Sequence, residues 1–269
     1  MNALFLVTIL FTCLLIGVPI AVALGFSSIL TLLIFADQSL LSLAQKFFHT
    51  MQVYPLLALP FFVLAGTFMT SGGVARRMID FANAAVGHFH GGLAISSVLA
   101  CMLFAAVSGS SPATVVAIGS IVIAGMVSSG YTRDFAAGVI CNAGTLGILI
   151  PPSIVMVVYG AATETSIGSL FIAGVIPGLV LTGAMMIAIY FVARYKNIPC
   201  QPWVGWWKIL RTGRRAVWGL LLIVIILGGI YGGVFTPTEA AAVAAMYAFT
   251  IAVYVHGDIT LKDVPGVLV

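Results

Sequence analysis

Charge is absent from this chain in blocks longer than a soluble fold tolerates. No Asp, Glu, Lys or Arg occurs from Met1 to Ala36, and between Phe135 and Ala193 the only one is Glu164. A membrane-spanning helix needs about 20 apolar residues to cross a hydrocarbon core of roughly 30 Å. Apolar runs at 3–17, 18–35, 55–72, 135–160, 170–193, 216–233 and 237–256 meet or approach that length. Soluble domains carry about a quarter charged residues; here 7% of 269 are charged and 62% are hydrophobic. The expected class is therefore an all-α polytopic membrane protein. The first run lacks a basic leader and a small-residue cleavage site, so it is read as retained in the protein.

Runs 3–17 and 18–35 are nearly continuous, split by Gly17-Val18-Pro19. One helix through both would be roughly 50 Å long at 1.5 Å per residue, which favours a tight reversal; a long, tilted and kinked helix is the competing arrangement.

The basic residues carry orientation. Arg194, Lys196, Lys208, Arg211, Arg214 and Arg215 cluster between two runs, and Arg76, Arg77 and Arg133 mark two further polar connections. Positive loops stay cytoplasmic. The Ala161–Gly168 loop has Glu164 and no Lys or Arg, and Asp37 and Lys46 share the other external loop. The sides alternate consistently, with the amino terminus outside if the first two runs are separate helices. The formal charge of +4 thus reports membrane orientation and gives no sign of a nucleic-acid partner. In "PWVGWWKILRTGRR", Trp203, Trp206, Trp207 and Leu210 fall near one helical face and Lys208, Arg211 and Arg215 near another. Such a helix suits the plane of the membrane interface, with cations facing anionic lipid.

Two helix starts are legible. Thr236, Pro237 and Glu239 form a capping-box pattern, which explains Glu239 with less machinery than ion binding. Thr132 with Asp134 caps the 135–160 helix. Cys13, Cys101, Cys141 and Cys200 have no disulfide or zinc spacing, and His88 and His90 read as a solvated Gly-rich loop.

Two interruptions fall where broken helices cost most. Residues 92–127 lie between two cytoplasmic connections, so they cross twice or not at all. Two short crossings would leave every loop on the same side, but a re-entrant hairpin is preferred, its tip holding Ser108, Gly109, Ser110 and Ser111 at mid-membrane depth. Bare backbone there is tolerated only inside protein or beside a watery cavity. In 135–160, Gly144 and Gly147 permit unusual backbone angles, while Pro151 and Pro152 remove amide donors. Unwinding there frees carbonyl oxygens such as those of Gly144, Thr145 and Gly147. With serine and threonine hydroxyls these are hard-oxygen ligands suited to Na⁺, and the helix restarting after Pro152 points a positive dipole end at the break. The competing explanation is close helix packing through small residues.

The segment after the basic cluster runs opposite to the first. "GGVFTPTEAAAVAAMYAF" loosely echoes "IGVPIAVALGFSSILTLLIF", which fits an inverted repeat. This divides the chain into a first repeat, 1–193, an interfacial arm, 194–215, and the start of a second repeat, 216–269. The first repeat holds scaffold helices within 3–72, the hairpin 92–127, the broken helix 135–160 and the helix 170–193.

At "AAVSGSSPATVVAIGS", "NAGTLGILIPPSIVMVVYGAATETSIGSLFIAGVIPG" and "GGIYGGVFTPTEAAAVAA" the sequence resembles the large membrane subunit of the tripartite ATP-independent periplasmic (TRAP) transporters. "LLIGVPIAVALG" near the start also fits. The resemblance implies a non-enzymatic permease of the bacterial inner membrane, an elevator with inverted repeats, each with a re-entrant hairpin and a broken helix. It implies import of an organic anion (a C4-dicarboxylate, sialic acid or another sugar acid) on a Na⁺ gradient. The implied partners are a periplasmic binding protein and a small four-helix membrane subunit. By motif, Na⁺ would sit among Ser108–Ser111, Gly144, Thr145, Gly147, Pro151 and Pro152. Asn142, Thr145 and Ser153 would contact substrate or support the residues that do. Members of the family are longer, with a complete second repeat, so a fragment is expected here. A single-component sodium–dicarboxylate symporter is the alternative; an intramembrane enzyme is remote, since no intramembrane His, Asp or Glu is placed for catalysis.

Overall fold

The computed structural model describes residues 2–35, 40–196, 200 and 202–268, and the secondary structure among them is helical. The chain divides into two compact units, Met1–Val53 and Tyr54–Val269.

In the first unit, α1 (Asn2–Leu15) and α2 (Ile20–Phe35) are separate helices. Gly17 takes a left-handed φ of +89°, and Val18 N–H closes the turn on the Cys13 carbonyl at 3.0 Å. The Phe5 ring meets the Phe35 ring edge-on at 5.1 Å, so the far ends of the two helices lie together. The tight reversal is therefore realised and the single kinked helix is not. At 14 and 16 residues, the two reach about 21 and 24 Å. A third helix, α3 (Leu40–Met51), contains Lys46, which the sequence reading places in a loop. Asp37 lies outside the described residues.

The second unit begins with a 3₁₀ turn, Tyr54–Leu57, that runs into α4 (Ala58–Ser71). Then α5 (Val74–Val86) forms where a loop around Arg76 and Arg77 is expected. Its Val74, Ala75, Met78 and Ala82 recur at helical spacing and are buried, while Arg76 and Asp80 are exposed. An amphipathic 13-residue helix of this kind has no long apolar run, so a search for spans passes over it.

At the centre is α6 (Gly92–Ser108), which packs against α4, α5, α7, α8, α11 and α12. A helix apolar all round belongs inside, and small residues such as Ala94, Ser97, Ala100 and Ala105 let its neighbours approach closely; all four are buried. The chain turns at Gly109–Ser110 into α7 (Ser111–Ser128). Ser97 near the start of α6 reaches Met126 near the end of α7 at 3.9 Å, which defines an antiparallel helical hairpin.

Next come α8 (Arg133–Gly144), α9 (Leu146–Leu149) and α10 (Ile154–Thr163), a span bent by 42° at its break. Thr132 caps α8 as expected, its Oγ1 accepting from Phe135 N at 3.4 Å. The chain then forms α11 (Ile167–Tyr195), α12 (Trp206–Tyr231) and α13 (Pro237–Thr250). A π turn (Ile251–Val255) and the short α14 (Val264–Leu268) follow. The capping box of α13 is complete: Thr236 N–H donates to Glu239 Oε2 at 2.8 Å and Glu239 N–H to Thr236 Oγ1 at 3.4 Å. The alanine face of α13, buried at Ala241, Ala244 and Ala248, lies along α4.

Among the described residues, five helical stretches are long and apolar enough to cross a membrane: Tyr54–Ser71, Ser111–Ser128, Ile167–Tyr195, Trp206–Tyr231 and Pro237–Val255. The bent α8–α10 segment makes a sixth. One boundary moves. The expected interfacial arm, 194–215, and span, 216–233, do not separate at Ala216, because Trp206 to Tyr231 is one unbroken helix of 26 residues. Nothing in its sequence stops it there: Gly213 is accommodated within the helix against the Phe81 ring, and the next glycine pair is Gly228-Gly229.

Candidate functional site

The tip of the α6–α7 hairpin is built from the residues that break the apolar pattern. Gly109 ends α6 in the left-handed region (φ +61°), its N–H bonded to the Ala105 carbonyl at 2.8 Å. Ser110 is extended and caps α7, its Oγ accepting from Ala113 N at 3.4 Å, with Pro112 in the first turn. Buried Ser108 brings its hydroxyl to 3.1 Å from that of Thr114, which also donates to the Ser110 carbonyl at 2.8 Å.

The break in the second element faces this tip. Ile150 and Ser153 are extended, and Pro151, Pro152 and Ser153 are buried between α9 and α10. The first amide of α10, Ile154 N–H, donates to the Gly109 carbonyl at 3.0 Å. One backbone hydrogen bond thus joins the hairpin turn to the point where the broken helix resumes. A Cβ on Gly109 would stand 2.6 Å from the Pro152 carbonyl oxygen, and one on Gly147 would stand 2.8 Å from Ser110 C and Ser111 N. From α4, Gly66 comes close enough that a Cβ would lie 3.3 Å from the Ser108 carbonyl oxygen. The two interruptions are one structure.

The unwinding is placed differently from the sequence reading. Gly144, Thr145 and Gly147 do not form an open loop: Thr145 keeps helical angles and its carbonyl accepts from Ile148 N at 3.0 Å. Gly144 is packed under Val115 and Gly147 under the Ser110–Ser111 backbone. For these two glycines close packing is the role the structure gives. The extended backbone lies at Ile150–Ser153, where the prolines deprive the Gly147 and Ile148 carbonyls of their usual helical donors.

Two hydroxyls here are out of the ordinary. Ser111 Oγ and Ser153 Oγ are buried without a hydrogen-bond partner, and Ser153 is fully inaccessible. A buried hydroxyl left unpaired costs about 1–3 kcal/mol, so a polar partner for either would recover stabilisation. Beside the tip is a cavity of about 250 Å³, lined by Ser108, Ser110, Ala113 and Ile154 with Gly66, Thr67 and Thr70 of α4. The α4 residues were missed; the signal for them is the small and hydroxylic "GTFMT" inside an apolar run. Thr67 and Thr70 hydroxyls bond to their own helix, on the Val63 and Gly66 carbonyls. Asn142 and Thr145 are exposed and likewise bond locally, Asn142 Nδ2 to the Gly138 carbonyl at 2.8 Å and Thr145 Oγ1 to the Asn142 carbonyl at 2.7 Å.

The electrostatics follow from helix ends. The carboxyl ends of α6 and α9 bring partial negative charge to the tip, and the amino ends of α7 and α10 bring partial positive charge. Neutral oxygens with opposed dipole ends can hold a weakly bound cation and an anionic group side by side. Among the described residues no three His, Cys, Asp or Glu side chains come together as a metal site. The four cysteines are free, and His88 packs its ring on Trp203 at 4.5 Å.

Residues 7–269 match the family described as "Tripartite ATP-independent periplasmic transporter, DctM component". The chain is 65% identical to the C4-dicarboxylate TRAP transporter large permease protein of Pseudomonas aeruginosa, over 91% of this chain and 58% of the relative. It is 66% identical to the protein of the same description in Vibrio cholerae, over 90% and 54%. With that of Rhodobacter capsulatus it shares 48%, over 100% and 64%. The chain spans a little over half the length of the first two relatives. These relatives are transporter permeases, not enzymes.

Proposed function

Because this chain belongs to the DctM component family of tripartite ATP-independent periplasmic transporters, we propose that it forms the first part of a large permease subunit importing a C4-dicarboxylate. That class is named for all three relatives above. Import runs on a Na⁺ gradient across the bacterial inner membrane, with substrate delivered by a periplasmic binding protein and a small membrane subunit alongside. The observation that carries this reading is the hydrogen bond from Ile154 N–H to the Gly109 carbonyl. It ties the hairpin tip to the point where the broken helix resumes, beside the cavity that Ser108, Ser110 and Ile154 help to line, and the Ser111 and Ser153 hydroxyls of these two segments are buried without partners. Na⁺ takes the hydroxyl and carbonyl oxygens there, and the substrate carboxylate takes the amino ends of α7 and α10. The hairpin is re-entrant in this proposal, its tip at mid-membrane depth, and it moves with the broken helix against a scaffold that includes α4 and α13.

The test is reconstitution of the complete subunit with its small membrane partner and binding protein in liposomes. Uptake of radiolabelled succinate is expected only with an inward Na⁺ gradient and the loaded binding protein present. Uptake that persists in K⁺ alone, or without the binding protein, contradicts the proposal; the latter result favours the single-component symporter.

A further inference from the structure

A second site lies away from the hairpin, in a cleft of about 870 Å³ where three apolar elements turn polar together. Ser71 ends α4, His256 and Asp258 follow the span Pro237–Val255, and Arg211, Arg214 and Arg215 precede the apolar part of α12. Arg76, Arg77 and Asp80 of α5 close the cleft. Such a common boundary marks the level of the membrane surface, and the excess of arginine marks the cytoplasmic side.

The charges divide into a structural and an uncommitted set. Arg77 Nη1 donates to Asp258 Oδ2 at 2.7 Å and to the Gly72 carbonyl at 3.0 Å, which braces the turn between α4 and α5. Among the described residues Arg76, Arg211, Arg214 and Arg215 have neither an ion pair nor a hydrogen bond, against the single carboxylate of Asp80. Burial, and next the Arg77 charge, hold His256 below the usual imidazole range, so it adds no fixed positive charge at neutral pH. Four free guanidinium groups around one cleft suit a phosphate group, which arginine binds in bidentate fashion.

The surface of α12 then distinguishes the source of that phosphate. Arg214 continues into Val217, Leu221 and Val224, spaced i+3, i+7 and i+10 along one helical stripe. These three are 40%, 37% and 64% exposed. Trp218, 39% exposed, lines the cleft at the junction. A charged head above an apolar stripe matches a lipid, with an aromatic side chain at headgroup level. From this we infer that the cleft is a binding site for an anionic phospholipid, its phosphodiester held by Arg76, Arg211 and Arg214 and its acyl chains along α12. The site depends on membrane insertion and not on the transport proposal, and its test reads lipid binding.

The complete subunit, purified in a neutral detergent, is titrated with phosphatidylglycerol, phosphatidylcholine or inorganic phosphate and read by native mass spectrometry and thermal shift. Phosphatidylglycerol should bind more tightly than phosphatidylcholine, and Arg211→Gln with Arg214→Gln should weaken it about tenfold or more. Arg76→Gln, on a different helix, should weaken it as well, while Lys208→Gln, outside the cleft, should not. Arginine-dependent binding of inorganic phosphate alone would keep the phosphate site and assign it to a soluble ligand. Equal affinity for the two lipids, or phosphatidylglycerol binding unaffected by the arginine variants, overturns the inference.

Discussion

Gly109 holds the hairpin turn in a conformation that only glycine adopts without strain. A left-handed φ costs an L-residue roughly 1–2 kcal/mol, and here the added Cβ would also meet the Pro152 carbonyl oxygen at 2.6 Å. Gly109→Ala should therefore lower the midpoint of thermal unfolding in detergent and break the Ile154–Gly109 hydrogen bond. Gly125 on α7 is the matched control, with open space where its Cβ would go. Gly125→Ala should be neutral or stabilising by up to about 1 kcal/mol, from helix propensity alone. Equal destabilisation by both would mean that the tip contact contributes nothing. The residues of the tip were legible in the sequence, because Ser108–Pro112 and the proline pair are the punctuation of apolar runs. The role of Gly144 and Gly147 was not: a glycine that admits a neighbouring backbone and one that unwinds a helix look identical until the neighbour is known. Gly66, Thr67 and Thr70 escaped for a related reason, since their part comes from α4 lying against the hairpin.

Among elements, those defined by local chemistry were read closely and those defined by tertiary packing were not. The reversal at Gly17-Val18-Pro19, the cap at Thr132 and the capping box at Thr236–Glu239 are short-range devices, and each is present. The last can be weighed: Thr236→Ala should cost about 1 kcal/mol of stability, measurable by chemical denaturation of the purified subunit, whereas Thr163→Ala, in the last turn of α10, should cost less. A cost for Thr236→Ala no larger than for Thr163→Ala would show that α13 is held by its alanine face against α4 alone. The helices α3 and α5 went unread because a window tuned to 20 apolar residues ignores a 3.6-residue period. The arm and the span that follow it merged into α12 because a change from basic to apolar composition does not end a helix; no proline stands between Trp206 and Tyr231, and Gly213 and Gly219 are taken up within the helix against Phe81 and Val74.

Across the whole molecule, the broken helix and the hairpin converge from separate stretches of sequence, and that convergence is what composition could not show. Apolar runs count spans, and Lys and Arg orient them, but neither says which two interruptions touch. In the structure they share a backbone hydrogen bond and two close-approach glycines (Gly109, Gly147), and each carries a buried hydroxyl without a partner. The central claim is that these hydroxyls serve a coupling cation. It is tested most directly by the Na⁺ concentration giving half-maximal succinate uptake in the reconstituted complete transporter, compared between wild type, Ser111→Ala, Ser153→Ala and the remote control Ser129→Ala. Loss of a hydroxyl ligand worth about 1–3 kcal/mol should raise that concentration roughly tenfold in the first two variants and leave it unchanged in the control. An unchanged Na⁺ dependence in both Ser111→Ala and Ser153→Ala would contradict the account.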